Sequence, residues 1–406
     1  MAPDSGTPQN PVTAVNALTS RWAATCSGES VVMAGAGVWP LLAYLASAAA
    51  GPGRTELQDA IGMSAATASH AARTLLSTME GSPAVRSALG LWIRRDLPLL
   101  PGWAGTLPEG MRGELSTDPV ADRLRLDAWA AEQTGGLIPA MPVPLTDETC
   151  LILAGALAVR TTWLRPFAEG VDLIPTGPWA AREILLLRRS TQLLDRVQVA
   201  DTPTGPLTVL RVMGTNGIDV HLVLGDDSWK PGEVLTAGID VLAGRHPSRK
   251  GDALPVGHPG PGISVRFVRD HKPYDRLNVT VPRFTVTSAQ DLLDLPQVFG
   301  LATVTDTTRG HFPGISTTPL AITHAQQNAL ATFQADGFQA AAVTATGAVA
   351  SGVTPRPPYR AKHIDVDFVH PFGFLAVDRR SRLILTAGWV AEPETWDPEA
   401  DDSPWI

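Results

Sequence analysis

A nucleophile, a proton shuttle or a metal clamp needs particular side chains at particular spacings, and this chain offers few. Its nine histidines stand singly; His311, His324, His363 and His370 read as hydrogen-bonded structural residues, not ligands. Cys26 and Cys150 lie far apart and outside any CxxC or Cys/His pattern, which predicts reduced structural thiols. Asp226-Asp227 and Asp401-Asp402 are adjacent pairs whose side chains diverge or face solvent, a poor geometry for acid/base work. No GxxxxGK[ST], HExxH or GxSxG occurs. Gly35-Ala-Gly37 lacks the third glycine and the following acidic residue of a dinucleotide fingerprint. The expectation is no metal, no cofactor and no enzyme activity.

A different kind of chemistry is offered by Gly337 to Pro355, which carries no charged residue. One alternating set is Phe338, Ala340, Ala342, Thr344, Thr346, Ala348 and Ala350, small throughout after its first member. Such a segment can become a central strand: it supplies main-chain hydrogen bonds and has no ionic group to desolvate. Its alanines also suit a helix. Val343, Thr344, Thr346 and Val349, with Gly347 and Gly352, weigh toward the extended form.

The rest of the chain must supply a sheet to receive it. With 44% hydrophobic residues over 406 positions, the chain can bury a large core as one big domain or two ordinary ones. The net charge of -8 is spread without a like-charge block, so nucleic acid is not an expected partner. Residues 10–76 show helical spacing in Val12, Val15, Leu18 and Trp22, and again in Trp39, Leu42 and Leu45. Gly51-Pro-Gly-Arg-Thr-Glu-Leu breaks one helix and starts another, with Thr55 as the expected cap. Strands are predicted at 88–93, 150–162, 207–212, 219–224 and 277–281, and further helices at 126–133 and 289–298. The Pro- and Gly-rich pieces 248–262 and 352–358 read as exposed loops. Helices first and strands later indicate α+β with antiparallel sheets. No apolar run is long enough to span a bilayer, and the amino terminus has neither a basic start nor an apolar core, which predicts a cytoplasmic protein. Export by another route stays open.

Several motifs, in order, resemble one family. Ala335-Asp-Gly337-Phe-Gln-Ala-Ala-Ala-Val-Thr344 is similar to the serpin hinge, an acidic residue and glycine followed by small residues. Asp367-Phe-Val-His370-Pro371-Phe372-Gly-Phe374 and Gly388-Trp-Val-Ala-Glu-Pro393 resemble the carboxy-terminal serpin strands. Leu126-Asp-Ala-Trp129-Ala-Ala-Glu-Gln-Thr134-Gly-Gly136-Leu-Ile138 resembles "INxWVxxxTxGxI", with Asp127 in place of Asn. Leu151 to Leu157 with Trp163-Leu-Arg-Pro166-Phe167, Val281-Pro282-Arg-Phe284 and Phe312-Pro-Gly314-Ile315 fall in register with them.

The resemblance implies an α+β serpin-like fold with three mostly antiparallel sheets, about nine helices and an exposed reactive-centre loop. It implies a flexible terminus over 1–14, one domain over 15–395 with the loop at about 337–362, and a tail over 396–406. The hinge would be Gly337, Phe338, Gln339, Ala340, Ala341, Ala342, Val343 and Thr344. Trp163 would mark the breach, where the loop enters. The scissile bond would be Ser351-Gly352, or Arg356 for a trypsin-like enzyme. The implied partner is a subtilisin-, elastase- or trypsin-like serine protease met by a metastable monomer, with no nucleic acid or membrane. Cleavage would leave the protease as an acyl-enzyme while the loop inserts as a strand, a driving force on the order of 10 kcal/mol from main-chain hydrogen bonds.

Two departures stand out. Phe338 occupies a position where the family prefers Thr or Ser, and the polar Ser/Asn/His cluster beneath the main sheet aligns with Ala34, Gly37, Gly155 and Gln327. A non-inhibitory binding or carrier serpin, and a scaffold recruited for small-molecule chemistry, therefore stand beside the inhibitor as readings.

Overall fold

The computed structural model describes residues 10–141, 143–146, 149–338 and 358–396. Helical spacing translates directly into packing at the start. Helix Pro11–Ala23 buries Val15, Leu18 and Trp22 and is capped by Asn10, whose side chain accepts from Val12 N at 3.0 Å. Helix Gly35–Ala48 is buried on nearly every side, as its uniformly apolar sequence requires. The next helix, Gly51–Ile61, starts earlier than Thr55: Ala50 is extended, Gly51-Pro52 form the first turn, and Thr55 lies in the helix body. Gly62, at φ 62°, closes it in the left-handed region. Helix Ala65–Glu80 follows.

The strands form three sheets and a two-stranded ribbon. The five-stranded sheet runs, in spatial order, Phe284–Asp291, His324–Phe333, Leu151–Val159, Val85–Arg94 and Arg112–Leu115. The six-stranded sheet runs Gly257–Gly260, Ile263–Asp270, Tyr359–Asp367, Arg276–Pro282, Glu183–Thr191 and Ala168–Leu173. The seven-stranded sheet includes Val197–Thr202, Gly205–Met213, Ile218–Leu224, Phe372–Asp378 and Ile384–Val390. Three pairs are parallel, namely His324–Phe333 with Leu151–Val159, Val85–Arg94 with Arg112–Leu115, and Arg276–Pro282 with Tyr359–Asp367. The other ladders are antiparallel, as an α+β chain predicts.

Helix Pro119–Thr134 lies on the outer face of the five-stranded sheet, with Trp129 edge-on to Trp92 at 5.6 Å. Asp127, on this helix, accepts from Met141 N at 2.7 Å and so ties the returning chain to it. Thr134 Oγ accepts from Ile138 N, and Gly135 takes φ 63° to end the helix.

Eight α-helices and four short 3-10 turns are present among the described residues, against about nine helices expected. Further expectations fail, besides the cap at Thr55 and the helical reading of Val31–Met33, which is strand. Residues 289–291 are strand, followed by a 3-10 turn at Leu292–Asp294 and a single helical turn at Pro296–Phe299. The strand continues because Ala289 to Asp291 pair with Asn328 to Gln326, and that ladder outweighs helix propensity. The stretch 248–262 is no plain loop: it holds strands Ser248–Lys250 and Gly257–Gly260, the latter turning through Gly262 at φ 59° into Ile263–Asp270.

Candidate reactive-loop hinge and the sheet it faces

The centre of the five-stranded sheet is its parallel pair, in register from His324↔Ile152 to Leu330↔Ala158. Beyond Phe333 the chain folds back on itself: Gln334 N donates to Gly337 O at 2.9 Å, closing a turn over Ala335-Asp336. Gly337 and Phe338 then run antiparallel to Thr162 and Thr161. Those threonines are the continuation of strand Leu151–Val159, so the returning chain is aimed along the line where the two central strands meet.

Only glycine fits at 337. A Cβ there would stand 2.4 Å from Thr161 O and 2.8 Å from Thr162 Cα, both backbone. On their other flank the threonines meet Gly214 and Thr215, with Thr215 N donating to Thr162 O at 2.8 Å.

Trp163 fastens this turn. Its backbone N–H donates to Asp336 O and its indole N–H to Gln334 O, each at 2.9 Å, and Phe167 N donates to Ala335 O at 2.8 Å. Its ring lies 4.8 Å from Phe333, which stacks on Phe284 at 5.3 Å, and Phe284 touches Phe372 and Phe374. An aromatic column therefore runs from the mouth of the sheet into the core. The Arg189 guanidinium covers Phe167 at 4.3 Å; burial, with Arg165 and Arg196 nearby, pushes it down to about 10.

Of the site residues expected from sequence, Gly337, Phe338 and Trp163 are brought together. Gln339, Ala340, Ala341, Ala342, Val343, Thr344, Ser351, Gly352 and Arg356 lie outside the described residues. The four positions aligned with a polar cluster do meet beneath the central pair: Gly155 pairs with Gln327, and its missing Cβ would lie 3.4 Å from Gly37 O. Ala34 stands at the start of helix Gly35–Ala48 and beside Gly37. Gln327 is the one polar side chain of the four. Asn328, the next residue, faces the other way and donates to Ala140 O at 2.9 Å; its strand-centre position carried no signal in the sequence.

The model of the family described as "Serpin (serine protease inhibitor)" matches residues 14–171 and 265–393. The chain belongs to the serpin family. Serpin-Z2B and Serpin-Z2A of Oryza sativa subsp. japonica are each 24% identical to this serpin, covering 90% of it and 92% of their own length. Among solved structures, thyroxine-binding globulin with thyroxine aligns at TM-score 0.70 and 17% identity, covering 95% of this chain and 99% of its own. The thermophilic serpin tengpin, in its native state, aligns at TM-score 0.73 and 12% identity, covering 96% of each chain. These structures bear on the fold of the serpin alone.

No helix among the described residues is long and apolar enough to cross a membrane.

Proposed function

We propose that this serpin inhibits a serine protease by offering its loop as substrate and inserting the cut loop between strands His324–Phe333 and Leu151–Val159. The observation that carries the reading is the antiparallel pairing of Gly337-Phe338 with Thr162-Thr161, at the mouth of the parallel pair. Parallel pairing is slightly weaker per residue than antiparallel. A strand entering from this turn would run antiparallel to both neighbours and replace one parallel ladder by two antiparallel ones. Along the ten residues of His324–Phe333, about 1 kcal/mol net per hydrogen bond gives on the order of 10 kcal/mol.

Ser351-Gly352 is the favoured scissile bond. The protease serine attacks the Ser351 carbonyl, and the bond to the Gly352 nitrogen breaks. That nitrogen departs as an amine carrying the proton that the protease histidine took from the serine, and Ser351 remains esterified to the protease. Arg356 is a poorer site because Pro357 follows it: the proline ring substitutes the leaving nitrogen and restricts the residue before it. Melting the serpin before and after nicking the loop tests the reading. Insertion raises the melting temperature strongly, whereas an unchanged midpoint means that no strand entered.

A carrier is the second reading, favoured by one cavity. About 610 Å³ open between helices Pro11–Ala23 and Pro231–Leu242, lined by Arg21, Arg245 and Arg382 with Asn16 and Ser20. Thyroxine-binding globulin, which shares the fold, binds thyroxine by its name. An anionic ligand retained in native mass spectra, together with an unchanged melt after nicking, would favour it.

A further inference from the structure

Strand Tyr359–Asp367, which receives the chain after the loop, is paired along both edges. Arg276–Pro282 flanks it in parallel, and Ile263–Asp270 flanks it antiparallel over eight residues, from Ile263↔Val366 to Asp270↔Tyr359. Side chains reinforce the second ladder. Arg266 pairs with Asp365 at 2.8 Å, His363 meets Asp270 at 3.1 Å, and Arg360 covers the Phe267 ring at 4.3 Å. Lys362, 7% exposed, donates its ammonium protons to Gly251 O, Asp252 O and Leu254 O at 2.8–2.9 Å. Its backbone N–H donates to Asp275 at 2.7 Å. The family model's match resumes at residue 265, within strand Ile263–Asp270; the carbonyls of Gly251, Asp252 and Leu254 and the preceding strand Gly257–Gly260 lie in the stretch that it leaves unmatched.

Chain length gives the arrangement its consequence. Twenty residues, 339–358, connect Phe338 to Tyr359. Insertion alongside the ten residues of His324–Phe333 takes about 33 Å of extended chain, and an uncut loop must then return the same distance. Out and back would consume all twenty residues at full extension, with none left for a turn. An uncut loop can therefore insert completely only if Tyr359–Asp367 leaves its sheet.

We infer that strand Ile263–Asp270, with the Lys362 ammonium, is an anchor that keeps Tyr359–Asp367 in place, so that insertion waits for the loop to be cut. The inference rests on the strand-insertion reading. An edge strand would come away by breaking one ladder; this one must break two and strip a buried ammonium of three carbonyl partners. The anchor holds the uncut chain in its metastable form, and it does not hinder a cut chain, whose inserting half is no longer tethered to Tyr359.

The test uses the full chain, unaltered and as Lys362→Met and Arg266→Pro. Lys362→Met removes the ammonium; Arg266→Pro, at an exposed position, disrupts the antiparallel ladder and stands in should the buried substitution fail to fold. Each protein is incubated uncut below its melting temperature, with mass spectrometry verifying an intact loop, and conversion to a more heat-resistant monomer is timed. The variants are expected to convert at least about tenfold faster than the unaltered chain. Nicked samples of all three are melted in parallel. Variants that convert no faster uncut, yet melt higher once nicked, overturn the anchor and leave insertion standing. If nicking raises no melt at all, insertion fails and the anchor falls with it.

Discussion

Gln327 stands opposite Gly155 in the central parallel pair, fully buried, and neither its carboxamide nitrogen nor its oxygen has a hydrogen-bond partner among the described residues. An unpaired amide in a core costs about 1–3 kcal/mol. Here that cost falls on the closed sheet, between the two strands that must separate for a loop to enter.

Replacing Gln327 by the similarly shaped Met should therefore stabilise the uncut protein by about 1–3 kcal/mol. Denaturant unfolding measures it. The same substitution should slow loop entry, seen as more nicked and less trapped serpin; an unchanged or lower stability would mean that the carboxamide is satisfied after all.

Gly337→Ala should destabilise the turn, because the added methyl meets Thr161 O and Thr162 Cα at 2.4 and 2.8 Å. The backbone must shift, at about 1–3 kcal/mol. Proteolytic sensitivity of the loop base should rise, and thermal melting should show the loss.

Phe338→Thr should act on rate. The first side chain through the opening shrinks, and a barrier lowered by about 1–2 kcal/mol changes the partition between trapping and release by roughly 5- to 30-fold. Titrating a protease to completion gives the number of serpin molecules consumed per enzyme, which should fall toward one.

Acid should weaken the native sheet through His221. It is 5% exposed in the seven-stranded sheet, and burial, the largest cause, pushes its pKa from 6.5 down to about 3, opposed by Asp219. Below pH 6.5 the unfolded chain takes up a proton that the folded one refuses, so stability falls as the pH drops toward 3, by ~4 kcal/mol at most. His221→Leu should flatten that part of the stability curve, measured by urea unfolding at several pH values.

Much of the architecture was legible because local pattern and burial agreed. The helix carrying Val15, Leu18 and Trp22 and the strands around Leu89, Leu153 and Val220 appear where the sequence places them, and the helix read at 126–133 is present but begins seven residues earlier, at Pro119. Residues 289–291 misled because their composition suits a helix, whereas the ladder to Gln326–Asn328 holds them extended. Strand Ile263–Asp270 escaped notice because Arg266, Arg269 and exposed Phe267 interrupt its apolar alternation, and because Pro and Gly crowd its approach. Ala34, Gly37, Gly155 and Gln327 were placed together by resemblance; that the glutamine has no partner there depends on side-chain geometry, which no spacing encodes.

The most direct test of the account is to mix the purified serpin with subtilisin-like, elastase-like and trypsin-like proteases and examine the products by denaturing gel and mass spectrometry. Trapping yields a band at the summed mass that survives denaturant, with the released peptide beginning at Gly352. Proteases that all nick the loop and remain active, with no covalent product, would contradict it.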